Sequence, residues 1–238
     1  MGYIQSFNRR ETKYLLSQEQ MAAFLREARN LLSRDKYGEY TICNLYLDTD
    51  DFYFIEHSLD RPAYKEKLRI RSYGNADRTD KIFFEIKKKA KGVVYKRRIS
   101  MPQLQAENAL IGKAALPDSQ IGSEITYALD FYQNLQPSVF LSYEREAFFE
   151  KNGGDFRVTF DENICYRQSE LTLNSAPWGM PILKPDQVLM ELKTSGGLPL
   201  WMVQALSKEK IFKASFSKYG TAYKDIIKTN QKGVRKYA

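Results

Sequence analysis

The segment from Tyr64 to Tyr73, YKEKLRIRSY, limits what this chain can fold into more than any other stretch. In a β-strand, successive side chains point to opposite faces of the sheet. Leu68 and Ile70 then share a largely apolar face. The opposite face carries four cations, which are Lys65, Lys67, Arg69 and Arg71. One such strand is typical of a solvated sheet edge, whereas a repeat of the pattern in other strands would indicate a basic surface inside the fold.

The same separation of charged and apolar positions recurs in other predicted strands. Lys81–Lys89 and Val93–Ser100 follow after short turns, which predicts an antiparallel meander. Tyr40–Leu47 is mostly apolar and is predicted to be a buried strand. The remaining predicted strands are Phe7–Leu15, Val139–Phe149, Phe156–Asp161 and Gln187–Thr194. One parity of these strands holds Lys13, Arg69, Arg71, Lys87, Lys96, Arg98, Arg145, Arg157 and Lys193, together with Glu11, Glu85 and Glu191.

Amphipathic segments between the strands predict helices and therefore an α+β fold. Ser17 and Gln20 form a capping-box signature at the start of a helix predicted over Gln18–Ser33. No internal repeat or Pro/Gly linker divides the chain, so a single domain over residues 1–238 is expected. Further helices are predicted at Pro102–Ala114, Ser119–Asn134, Leu198–Leu206 and around Tyr219–Ile227, with a long loop at Ser169–Pro185.

A closed antiparallel β-barrel with helices packed outside explains the charge pattern, because its interior would form a polar tunnel. Crowded cations repel each other strongly at low dielectric, so such a tunnel requires a polyanion inside. Triphosphate and polyphosphate meet this requirement, since Arg and Lys both bind phosphate oxygens well. Glu11, Glu85 and Glu191 would hold Mn²⁺ or Mg²⁺ that bridges phosphates. The alternative is an open sheet whose charged faces are simply solvated.

Composition narrows the classes of partner and site. The formal net charge of +8 favours an anionic partner. Cys43 and Cys165 lie far apart in the sequence and His57 is the single histidine, so neither a zinc site nor a Cys/His nucleophile pair is supported. No signal peptide and no apolar run of membrane-spanning length occurs. We therefore expect a cytoplasmic protein without membrane insertion, whose association with membranes, if any, comes through a membrane-protein partner.

An ordered set of short motifs resembles a known family. The motifs are E-x-K-Y (Glu11–Tyr14), Y-x-D-T (Tyr46–Thr49), L-R-x-R-x-Y-G (Leu68–Gly74), F-x-E-x-K (Phe83–Lys87), Y-K-R-R (Tyr95–Arg98), S-Y-x-R (Ser142–Arg145), R-V-T-x-D (Arg157–Asp161), M-E-L-K (Met190–Lys193) and F-S-K-Y (Phe216–Tyr219). Together they resemble the VTC domain, which is the polyphosphate polymerase domain of the triphosphate tunnel metalloenzyme (CYTH-like) superfamily. The resemblance covers nearly the whole chain, and the order of the motifs is specific where each motif alone would be weak.

The resemblance implies a tunnel of about eight antiparallel strands. It also implies a phosphotransferase that moves the γ-phosphate of ATP onto a growing inorganic polyphosphate chain, with Mn²⁺ or Mg²⁺ as cofactor. By motif, phosphates would bind to Lys13, Arg69, Arg71, Lys87, Lys96, Arg145, Arg157, Lys193, Ser217 and Lys218. Glu191 would hold the metal, and strand parity adds Arg98 to the phosphate-binding set. The catalytic residues would be Lys13, Arg69, Arg71, Lys87, Lys96, Arg145, Arg157, Glu191 and Lys193.

Two other functions stay open at this point. The related triphosphatases open with E-x-E-x-K, and here Arg9 stands in place of their first Glu. Fewer carboxylates should favour retention of a polyanionic product over its hydrolysis. A triphosphatase acting on inorganic or nucleoside triphosphates is one alternative, and a non-catalytic polyphosphate or nucleotide sensor is the other. Nucleic acid is not expected as a partner, because the Tyr and Phe residues lie mainly at core parity rather than on stacking platforms.

Overall fold

The computed structural model describes residues 10–91, 93–151, 153 and 155–235, with side chains up to residue 229. Residues 7–9 of the first predicted strand, including Arg9, therefore lie outside the described residues. The chain forms two compact units. The first unit comprises Met1–Thr41, Tyr143–Ile164 and Leu183–Ser217, and the second comprises Ile42–Ser142, Cys165–Ile182 and Lys218–Ala238.

The described residues confirm an α+β fold whose strand pairs are antiparallel. The strands are β1 (Arg10–Ser17), β2 (Leu32–Asp48), β3 (Tyr64–Tyr73), β4 (Lys81–Ala90), β5 (Val93–Pro102), β6 (Gln136–Glu150), β7 (Arg157–Arg167), β8 (Met180–Pro181) and β9 (Gln187–Thr194). The helices are α1 (Gln18–Ala28), α2 (Tyr53–Leu59), α3 (Gln103–Leu110), α4 (Gln120–Phe131), α5 (Leu200–Lys208) and α6 (Lys218–Arg235).

In the first unit, the strands follow the hydrogen-bond order β1-β9-β7-β6-β2. The apolar parity of β7 and β9 packs against α1 and α5, with Phe24 and Met202 fully buried between them. The ring centroids of Phe24 and Phe160 lie 6.0 Å apart in an edge-on arrangement. The opposite parity of the same strands carries the charged residues, so this packing fixes which face they occupy.

The N-terminus of α1 confirms the predicted capping box, but its C-terminus corrects the prediction. The backbone N–H of Gln20 donates to Ser17 Oγ at 3.1 Å, and the Ser17 N–H donates to Gln20 Oε1 at 3.0 Å. The helix ends at Ala28 rather than Ser33, and β2 begins at Leu32 rather than Tyr40. The reason is tertiary, because the Leu31 carbonyl accepts from the Lys151 N–H at 2.9 Å and Leu32 enters the core.

In the second unit, the order is β6-β2-β3-β4-β5, and β3, β4 and β5 form the predicted meander. The apolar parity of β3 and β4 is buried, with Leu68, Ile82 and Phe84 each fully enclosed. Ile125 of α4 completes this core from the helical side. The separation of faces predicted for Tyr64–Tyr73 is therefore confirmed, and its cations lie on the side away from this core.

Several helix ends and one loop differ modestly from their predictions. Helix α3 ends at Leu110 rather than Ala114, because Gly112 has a positive φ of 70° that a helix cannot continue through. Helices α4 and α5 begin one and two residues later than predicted, respectively. The predicted loop Ser169–Pro185 contains the two-residue strand β8, which pairs with Cys165 and Tyr166.

The hydrogen-bond ladder is open within the described residues, so the expected closure of the barrel is corrected. Strands β1 and β5 stand at its two ends. The outer edge of β1 is taken by a short irregular segment, since the Ala214 N–H donates to the Lys13 carbonyl at 2.7 Å and Tyr14 bridges to Lys213. Among the helices described, none combines the length and apolar character needed to cross a membrane.

Candidate phosphate-binding clusters

A basic face in the second unit is built from rows of side chains that run across β3, β4 and β5. The strand register places Arg69, Glu85 and Arg98 side by side in one row. The neighbouring row aligns three lysines, which are Lys67, Lys87 and Lys96. We use the name basic face for the charged residues of these strands on this side, which are Lys65, Lys67, Arg69, Arg71, Lys81, Glu85, Lys87, Lys89, Lys96 and Arg98.

Glu85 is the carboxylate at the centre of the basic face, and its side chain is only 2% exposed. Arg69 Nε donates to Glu85 Oε2 at 2.7 Å, and Lys96 Nζ lies 3.2 Å from Oε1. Burial alone would raise the pKa of Glu85, but the charges of Arg69, Arg71 and Lys96 outweigh it and hold the pKa well below its usual range. Glu85 therefore acts as an internal counter-ion, and its predicted role as a metal ligand stays a prediction.

Arg71 is held in place by a residue that the sequence interpretation missed. Arg71 Nε donates to Asn44 Oδ1 at 2.9 Å, and Asn44 Nδ2 donates to the Leu141 carbonyl at 3.0 Å. All three groups are buried. The signal for Asn44 was its polar side chain inside the apolar strand YTICNLYL, because a buried amide requires hydrogen-bond partners.

The lysine row places three like charges side by side in register, and one of them, Lys96, also contacts Glu85. Lys87 and Lys96 are direct register partners, and their side chains are exposed. Burial lowers the pKa of Lys96, and the positive charges of Arg69 and Arg71 lower it further. The Glu85 carboxylate offsets part of this shift, and the resulting pKa is about 7. The Lys96 side chain is nevertheless 45% exposed, and an anion bound beside it would favour its protonated form. Arg98 lies over the Phe83 ring at 4.6 Å, which orients its guanidinium on this face.

A mixed-charge cluster in the first unit occupies the charged parity of β1, β6, β7 and β9. It comprises Glu11, Lys13, Arg145, Arg157, Asp161, Glu191 and Lys193. Lys13 Nζ lies 3.3 Å from Glu11 Oε1 and 3.4 Å from Glu191 Oε1. Lys13 and Glu191 are direct register partners, so two carboxylates converge on one ammonium.

Arg145 and Asp161 form the most buried of the ion pairs described in this cluster. Arg145 Nε and Nη2 donate to the two oxygens of Asp161 at 2.6 and 2.7 Å. Burial would lower the pKa of Arg145, but the Asp161 charge outweighs it and raises the pKa well above its usual value. Arg145 Nη2 also reaches Glu191 Oε2 at 3.5 Å. Asp161 thus fixes the orientation of a predicted phosphate ligand, a role that the sequence interpretation did not assign.

Arg157 and Lys193 are register partners at the next level of this cluster. Burial lowers the pKa of Lys193, while the charges of Glu191 and Glu11 oppose the shift. Arg157 lies over the Phe149 ring at 4.9 Å. Within the described residues, Arg157 Nε and Thr159 Oγ1 are buried and have no hydrogen-bond partner.

Ser217 and Lys218 lie where α6 begins. Lys218 is the first residue of the helix and is 9% exposed. Tyr219 anchors this helix start, because its hydroxyl donates to Asp48 Oδ2 at 2.7 Å and its ring stacks on Tyr46 at 4.5 Å. The predicted site residues therefore fall into the basic face, the mixed-charge cluster and the start of α6.

The donor chemistry of the mixed-charge cluster fits a divalent cation. Among the described residues, no group of three or more His, Cys, Asp or Glu side chains converges on one point. Glu11 and Glu191 nevertheless both contact Lys13 Nζ, so each has a carboxylate oxygen within 3.4 Å of one common atom. Mg²⁺ and Mn²⁺ prefer oxygen ligands and commonly complete their coordination with phosphate oxygens, so two carboxylates suffice.

Comparisons with known proteins agree with the fold and the motifs. The model of the VTC domain family matches residues 8–227. The chain resembles the crystal structure of a candidate adenylate cyclase from Bacillus halodurans, with a TM-score of 0.54 and 15% identity over 88% of this chain and 95% of that one. A candidate adenylate cyclase from Vibrio parahaemolyticus gives a TM-score of 0.52 and 11% identity over 92% of this chain and 99% of that one. At these identities the likeness shows the fold alone. No curated protein matches the chain in sequence.

Proposed function

This chain belongs to the VTC domain family, and on that premise we propose that it is a polyphosphate polymerase. It uses ATP as phosphoryl donor and the end of an inorganic polyphosphate chain as acceptor. The observation that carries the proposal is the lysine row of the basic face. Like charges placed directly opposite each other destabilise a sheet, so a row of three lysines indicates a polyanionic ligand.

The proposed reaction is a single in-line phosphoryl transfer. A terminal oxygen of the acceptor chain attacks the γ-phosphorus of ATP, and the bond from that phosphorus to the β–γ bridging oxygen breaks. ADP leaves with the electron pair of that bond, and the acceptor chain becomes one phosphate longer. Such a transfer depends on positioning and charge neutralisation more than on covalent catalysis.

The side chains of both clusters are suited to that task. Arg69 and Arg71 are held by Glu85 and Asn44, so their guanidinium groups are oriented before a phosphate binds. Lys87 and Lys96 supply charge at more exposed positions. Arg145, locked by Asp161, and Lys13 would neutralise charge that develops on the transferring group. We also propose that phosphates bind to Arg98, Arg157, Lys193, Ser217 and Lys218.

Glu191 and Glu11 would hold the metal. A bound Mn²⁺ or Mg²⁺ would supply neutralisation of phosphate charge and help to orient the donor. We also propose that the two compact units work as one VTC-type domain. Strands β2, β6 and β7 support this, because each contributes residues to both units.

Product sizing tests the proposed function. Purified protein is incubated with ATP and Mn²⁺, and the products are separated by gel electrophoresis beside polyphosphate standards. We expect chains longer than the acceptor supplied. Orthophosphate alone would instead identify a triphosphatase, and unchanged ATP with measurable binding would identify a sensor.

A further inference from the structure

Two buried donors on β7 have no partner within the described residues. They are Arg157 Nε and the Thr159 hydroxyl, and Thr159 is only 1% exposed. Buried polar groups in folded proteins nearly always have a hydrogen-bond partner, so each exception calls for an explanation. Because residues two apart in a strand share a face, these two donors lie next to each other on the charged side of β7.

The surroundings of Thr159 are those of a ligand site rather than of a core. Its register partner on β9 is Glu191, and Asp161 follows it at the next position of the same parity. Asp161 already accepts two hydrogen bonds from Arg145. Arg157 is the register partner of Lys193 on the neighbouring strand β9. A hydroxyl among these charges can donate to an anionic oxygen that the cations attract.

We propose that Thr159 Oγ and Arg157 Nε form an oxyanion subsite that binds a phosphate oxygen of ATP or of the polyphosphate chain. The inference rests on the proposed function only in that a polyphosphate or nucleotide must bind. The hydroxyl is covered in the ligand-free chain, so binding requires a neighbouring side chain to shift. Lys13 and Lys193 are long and partly exposed, at 23% and 28%, and can move in this way.

The subsite predicts an unusual combination of effects for Thr159→Val, which keeps the side-chain shape and removes the hydroxyl. The ligand-free protein should unfold at the same temperature as the wild type or higher, because no protein partner loses a hydrogen bond. Its affinity for tripolyphosphate should fall about 10- to 100-fold, as expected for a lost hydrogen bond to a charged group. Thr159→Ser retains the donor and should bind within about threefold of the wild type.

Thr194→Val is the matched control on β9. The Thr194 hydroxyl accepts from the Gly196 N–H at 3.2 Å, so it already has a protein partner. This variant should unfold at a lower temperature and bind tripolyphosphate as the wild type does.

The experiment is isothermal titration calorimetry with tripolyphosphate, with and without Mg²⁺, together with thermal unfolding of all four proteins. Equal affinities of Thr159→Val and the wild type would overturn the subsite. A lower unfolding temperature of ligand-free Thr159→Val that Thr159→Ser restores would also overturn it, since the hydroxyl would then have a protein partner. A wild type that binds no tripolyphosphate would refute both proposals, whereas binding without chain synthesis would refute only the polymerase.

Discussion

The basic face and the mixed-charge cluster differ in how many carboxylates accompany their cations. In the mixed-charge cluster, different carboxylates neutralise different cations. Lys13 pairs with Glu191, and Arg145 pairs with Asp161. On the basic face, Glu85 is the single carboxylate among the β3–β5 residues of that parity. A balanced cluster is stable without a ligand and can orient reacting groups. An unbalanced face gains stability from a polyanion and can hold a chain of phosphates.

The largest effect should come from breaking the balanced pair at Asp161. Asp161→Asn removes the nearer counter-ion of the buried Arg145 and leaves it only the contact with Glu191 at 3.5 Å. Breaking a buried ion pair typically costs about 3–5 kcal/mol. Urea unfolding measures this loss.

The matched control for this change is Glu146→Gln. That change removes the ion pair with Arg34, whose side chain is 51% exposed, and should cost at most about 1 kcal/mol. Equal costs for the two variants would show that the Arg145–Asp161 pair is not the buried anchor of its cluster.

Glu191→Gln should abolish catalysis while sparing the binding of phosphates. Loss of this carboxylate removes a proposed metal ligand and leaves Lys13, Arg145 and Lys193 without one of their counter-ions. We expect the rate of chain synthesis to fall at least about 100-fold. Tripolyphosphate should bind at least as tightly as before, because the removed negative charge no longer repels it.

Steady-state rates and calorimetry measure these two quantities for Glu191→Gln. Glu19→Gln, an exposed carboxylate in the first turn of α1, serves as the control and should leave both unchanged. Parallel losses of binding and rate in Glu191→Gln would contradict the assignment of Glu191 to catalysis rather than to phosphate binding.

Two adjacent lysines on β4 test which face binds the ligand. Lys87 lies on the basic face, whereas Lys88 lies on the opposite parity and pairs with Glu66. Lys87→Ala should weaken tripolyphosphate binding about tenfold and reduce its salt dependence, and Lys88→Ala should do neither. Titrations at several salt concentrations measure both, and equal effects of the two variants would rule out the basic face as the binding surface.

The smallest expected effect is a pH dependence carried by Lys96. Its pKa is lowered to about 7, so its ammonium is charged below that pH and neutral above it. Affinity for tripolyphosphate should therefore fall as pH rises through this value, by about three- to tenfold. Lys96→Arg stays charged throughout, and the difference between it and the wild type isolates the lysine from ionisation of the ligand. Parallel pH profiles of the two proteins would refute this titration.

The sequence predicted which face of each strand carries the charged residues better than it predicted which residues those charges contact. Alternation in β3, β4 and β5 located Arg69, Arg71 and Arg98 correctly because a strand has a strict period of two. Asp161 and Asn44 were missed as anchors, since each contacts an arginine on another strand that only the register brings near. The early start of β2 was missed for the same reason, because a hydrogen bond from Lys151 overrides the local helical pattern.

The stoichiometry of ATP consumption distinguishes a polyphosphate polymerase from a triphosphatase. ADP, orthophosphate and phosphate in chains are measured over time with purified protein, ATP and Mn²⁺. We expect one chain phosphate for each ADP formed, with little orthophosphate, and loss of both products in Glu191→Gln. One orthophosphate for each ADP and no chain growth would contradict this expectation.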